Sequence, residues 1–159
     1  MSPVREPNLR LGFASAVALV LVHLLAPWPL LQAPVHGALV LGFAPGFHSR
    51  LAGVLWASAG GWVLESGLRM MPQAGGMALA NMTVALALSW SLEHWPPASV
   101  RTLWVRLAAF AVLHVLLAHA LVRMAAGPHV WGWGWLAVLA TVPLWGTLAF
   151  RWHRPFPRR

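Results

Sequence analysis

The sequence predicts an all-α integral membrane bundle of six transmembrane helices in a single domain. Three observations lead there. The 159 residues are 59% hydrophobic and 9% charged, with a mean hydropathy of +0.68, whereas a soluble domain is about a quarter charged. The apolar residues fall into six segments joined by short turns, and helices are the spanning elements whose backbone satisfies its own hydrogen bonds in lipid. The arginines sit at segment ends and on alternate sides, as the positive-inside rule requires of a multi-span chain.

The segments, in order, are 9–26, 34–47, 51–68, 77–92, 103–124 and 134–150. A span needs about 20 residues, and the first, third, fifth and sixth come close. The second is short and holds Gly37, Gly42, Pro45 and Gly46. The first ends in "APWPLLQAP", without a small-x-small cleavage site, and further spans follow, so it reads as a span and not a signal peptide. With the N-terminus inside, Arg5, Arg10, Arg50, Arg101, Arg106, Arg151, Arg154, Arg158 and Arg159 lie on the cytoplasmic side, against Arg69 and Arg123 outside. Both termini are therefore expected inside. Trp28, Trp131, Trp133 and Trp135 mark outer ends, and Trp90, Trp95, Trp104 and Trp152 mark inner ends, in keeping with interfacial aromatic belts.

Several functions are disfavoured. Cysteine is absent, which removes disulfides, thiolate metal sites and cysteine nucleophiles. The net charge of +8 is dispersed at segment ends, so it reads as topology and not as a nucleic-acid patch. His23, His114 and His119 fall within spans, while His36, His48, His94, His129 and His153 fall near segment ends. His114 and His119 are five apart and share no helical face, and no HExxH pattern occurs. A helix-to-helix hydrogen bond is the expected use of an intramembrane histidine here, with no metal and no cofactor. Glu65 and Glu93 fall at opposite ends of their spans and form no catalytic pair. No enzyme activity is expected.

The charged outlier is "GWVLESGLRMMPQAGG", residues 61–76. Glu65 lies fifteen residues beyond Arg50, about 22 Å along a helix, which places it near the outer interface. Arg69 follows at i+4, the favourable order for a helical ion pair. Steps of four back from Arg69 give Glu65, Gly61, Ala57, Gly53 and Ser49, a ridge of small residues. The fourth segment carries a matching row of Asn81, Ala85, Ser89 and Glu93. Rows of small residues let helices approach closely in lipid. The third and fourth helices are therefore expected to pack antiparallel on these rows, with Asn81 near Glu65 and Glu93 near Arg50.

Several stretches resemble the rod shape-determining MreD family along most of the chain. "HLLAPWPLL" is similar to its first span and outer turn. "APGFHSRLAGVLWASAGGWVLESGL" resembles its glycine-rich third span ending in an acid, and "PQAGGMALANM" the loop before the fourth. "VPLWGTLAFRWHRPF" resembles its last span with a basic tail. The resemblance implies a non-enzymatic component of the bacterial inner membrane with a fold like the S components of energy-coupling-factor vitamin transporters. It implies binding to the single-span protein MreC and support of peptidoglycan synthesis by RodA and a class B penicillin-binding protein, in concert with MreB. The fold relationship leaves a second expectation, a vitamin-binding S component. Ala14 and Ala18 in the first span resemble the small-residue face such subunits dock with. The shortage of polar groups to orient a vitamin argues against it.

Overall fold

Proline, glycine and serine divide the chain into helices. The computed structural model describes residues 9–47, 49–67, 75–126 and 144–152, and these form six helices and no strand. Helix α1 spans Leu9–Leu24 and ends in a turn before Pro29. Helix α2, Pro29–Gly37, starts on that proline, whose missing N–H costs nothing in the first helical turn. It runs on as a π-helical stretch, Ala38–Phe43, and a 3-10 turn, Ala44–Gly46. The sequence placed this start at Pro34, which instead lies inside the helix. The five extra residues carry His36 away from the helix start and into the bundle.

Helix α3, Arg50–Gly67, follows Ser49, whose Oγ accepts the Ala52 N–H at 3.4 Å, an N-cap. Helix α4, Gly76–His94, follows Gly75, whose φ of 69° is left-handed and therefore suits glycine. Helix α5 is Val100–Ala126. Ser99 and Thr102 cap its start reciprocally, each hydroxyl accepting the other's backbone N–H at 3.2 and 3.0 Å. Helix α6 comprises residues 144–152; the rest of the expected sixth segment lies outside the described residues.

The most extensive contact is between α3 and α4, followed by α4 with α5 and α1 with α3. One apolar cluster joins Leu41, Val84, Leu88, Leu103, Leu107 and Phe150. A second joins Val22, Ala26, Leu64, Met77, Ala80 and Ala118. Helices α2 and α6 meet closely, because a Cβ on Gly42 would stand 2.4 Å from that of Ala149. Within α5, Val100–Ala118 is long and apolar enough to cross a membrane by length and composition. Leu9–Leu24 and Leu30–Gly46 are apolar but shorter. Leu9, Phe13, Leu51, Leu55, Leu86, Trp104 and Leu116 are exposed on the outside of the bundle.

Candidate functional site: the α3–α4 interface and its polar centre

Helix α4 is held at both ends by charged side chains from its neighbours. A helix start presents N–H groups without intrahelical partners and carries partial positive charge. Glu65 of α3 answers both. Its Oε2 accepts the Gly75 N–H at 3.0 Å and its Oε1 the Met77 N–H at 2.6 Å. The residue is only 1% exposed, so the carboxylate is a buried cap. The Trp62 ring lies over Gly75, 3.2 Å from where a Cβ would stand. At the other end, Arg106 of α5 donates from Nη1 to the carbonyls of Ser91, at 3.1 Å, and Trp95. A cation there complements the negative end of the helix.

Between these ends the two backbones nearly touch. A Cβ on Gly61 would lie 2.4 Å from Ala78 N and Cα and 2.5 Å from the Met77 carbonyl carbon. Gly60 makes room for Leu39, whose Cδ2 would be 2.6 Å from an added Cβ. One turn deeper sits a polar centre. Asn81 Nδ2 donates to the Ala57 carbonyl at 2.8 Å and to His36 Nε2 at 2.9 Å. His114 Nε2 lies 2.6 Å from Asn81 Oδ1. The bond to Ala57 fixes which way the amide faces. His36 must then accept through Nε2, and His114 must donate through Nε2. The two imidazoles thus take opposite roles at the amide, with their rings 5.4 Å apart. One asparagine thus ties together α2, α3, α4 and α5.

The expected row of small residues divides between two neighbours and the surface. Gly61 and Ala57 face α4, where Asn81, Ala85 and Ser89 are also buried. Gly53 faces the end of α2 instead: a Cβ there would be 2.1 Å from the Ala44 carbonyl oxygen. Ser49 is exposed and serves as the α3 cap. Asn81 itself bonds the carbonyl of Ala57, two turns back from Glu65 along α3. Arg50 and Glu93 do meet, Arg50 Nε donating to both carboxylate oxygens at 3.0 Å. The hydrogen-bonded carboxylate raises the Arg50 guanidinium above its ordinary value. Arg69 and the side chain of His119 lie outside the described residues. Ala14 and Ala18 line an open groove on the opposite side of the bundle.

Sequence reading missed His36 and Gly60. A signal for His36 was present: it lies within eight residues of Pro29, and proline is at home in the first helical turn. Among the described residues no group of three or more histidines or acids is placed to hold a metal ion. The arrangement supplies helix capping and interhelical hydrogen bonding. No family model matches the chain, and neither a curated protein nor a solved structure matches it.

Proposed function

We propose that the chain is a non-enzymatic scaffold of the bacterial cell-elongation machinery, of the MreD type, lying in the inner membrane as six spans with both termini inside. It binds the single-span protein MreC and supports RodA and a class B penicillin-binding protein, with MreB filaments on the cytoplasmic side. The observation that carries this reading is the use of the interior polar groups. Asn81, His36, His114 and Glu65 bond one another or backbone, while large apolar side chains cover the outside. Polar groups committed to internal glue, with an apolar exterior, suit a protein whose work is packing against other helices.

Co-expression of the full chain with MreC of the same host tests the proposal. Stable co-purification in mild detergent, together with loss of rod shape when the chain is depleted, is the expected result. Normal rods after depletion, or no recovery of MreC, would overturn it. The second reading, a vitamin-binding S component, draws on Ala14 and Ala18 at the open face of α1. Against it, the space between α4 and α5 is filled by Leu88, Leu103, Leu107 and Ala111. A small molecule other than a phospholipid retained in native mass spectrometry of the purified chain would favour that second reading.

A further inference from the structure

A groove of about 720 Å³ lies between α1, α2 and α6. Phe13, Val17, Leu21, Leu31, Trp145 and Leu148 are among its walls. It exists because Ala14, Ala18, Ala38 and Ala149 place small side chains where larger ones would close it. Among the described residues that line it, Arg10 is the one that carries a charge. Along α1 the lining runs from Arg10 to Leu21, about 16 Å at 1.5 Å per residue, so Arg10 stands at one end. Helix α2 returns beside α1 after a short turn, which brings Phe43 level with Arg10. The Phe43 and Trp152 rings meet edge to face there, 6.1 Å between centroids.

We propose that this groove binds an anionic phospholipid of the inner leaflet, with its acyl chains along the groove and its phosphate at Arg10. The inference rests on the reading of the chain as a bilayer bundle with its basic ends inside. On that reading the Arg10 end faces the leaflet rich in anionic lipid, and Trp152 stands at headgroup level, where tryptophan concentrates. Thin, flexible acyl chains can lie along the apolar groove, and a phosphate complements the Arg10 guanidinium in charge.

The test is native mass spectrometry of the full-length protein with phosphatidylglycerol or phosphatidylcholine of identical acyl chains. The wild type is expected to retain phosphatidylglycerol about fivefold better, the effect of one arginine at an anionic headgroup. Arg10→Gln should remove that preference. Ala14→Leu should lower retention of both lipids while keeping the preference. Equal retention by the wild type, a preference that survives Arg10→Gln, or a polypeptide recovered in place of lipid would overturn the proposal. Alkaline extraction of membranes checks the bilayer reading separately. Release of the protein into the supernatant would overturn both, whereas a pelleted protein without lipid preference would overturn only the groove assignment.

Discussion

The two sides of the bundle solve the same packing problem differently. On the α3–α4 side, backbone meets backbone at Gly61, the Asn81 amide is fully engaged, and both oxygens of Glu65 accept N–H groups. On the α1–α2 side, a groove stays open, and two buried polar atoms, Ser15 Oγ and Gln32 Nε2, have no hydrogen-bond partner among the described residues. Orphaned buried polar atoms are uncommon in finished interiors. The contrast separates a closed half, which specifies the fold, from an open half, where the bundle can receive something from outside.

The comparison breaks most sharply at Gly61. Neighbouring backbone cannot rotate out of the way as a side chain can, so Gly61→Leu must push α3 and α4 apart. A loss of about 3 kcal/mol or more is expected, at the upper end of overpacking penalties, read as a large fall in thermal midpoint in detergent. Gly12 on α1 is the matched control: a Cβ there meets nothing within 4 Å, and Gly12→Leu should leave the midpoint nearly unchanged. Equal effects at the two glycines would erase the distinction between closed and open halves.

Asn81→Ala comes next. It removes three interhelical hydrogen bonds and leaves the Ala57 carbonyl and both histidines without that partner. Interhelical bonds in membrane proteins average about 0.6 kcal/mol each, so the expected loss is about 2 kcal/mol in thermal or denaturant unfolding. Asn81→Asp sharpens the point. It keeps the shape but cannot donate to Ala57 and His36, and it should recover little of the loss.

Glu65→Gln is expected to cost about 1.5 kcal/mol, the typical worth of a hydrogen bond to a charged group. The amide retains one acceptor oxygen and turns an NH₂ toward an N–H. Burial at 1% exposure and two backbone bonds set that expectation. Slower amide exchange at Gly75 and Met77 in the wild type than in the variant checks the mechanism.

These revisions show what could be read from the sequence. The closed half was legible because glycine, alanine and asparagine recur at spacings of four in α3 and α4, and small rows have one main use between helices. The row was legible only locally. Four residues advance a 3.6-residue helix by about 40° beyond a full turn, so a ridge from Ser49 to Glu65 winds nearly halfway round. Gly61 and Ala57 therefore meet α4, Gly53 meets Ala44, and Ser49 turns to solvent. His36 was hidden by Pro34, which looked like a helix start. The caps on α4 were hidden because Glu65 and Arg106 act on residues ten or more positions away, beyond any local pattern. The MreD resemblance named a role for the glycine-rich third helix but gave no signal for the groove, which depends on α1, α2 and α6 coming together.

The smallest expected effect has the opposite sign and belongs to the open half. Ser15 is fully buried on α1, and its hydroxyl has no partner among the described residues. A serine inside a helix usually bonds the carbonyl one turn back, and here that relief is missing. Ser15→Ala removes the orphaned oxygen and keeps the volume nearly constant, so it should stabilise the purified chain by about 1 kcal/mol, the lower part of the desolvation penalty of such a group. The same substitution logic on the closed half, Ser89→Ala, should give no gain, because Ser89 Oγ is not among the buried unpartnered atoms. A lower thermal midpoint for Ser15→Ala would mean that the hydroxyl is already bonded in the bundle. The α1–α2 side would then be as finished in its hydrogen bonding as the α3–α4 side.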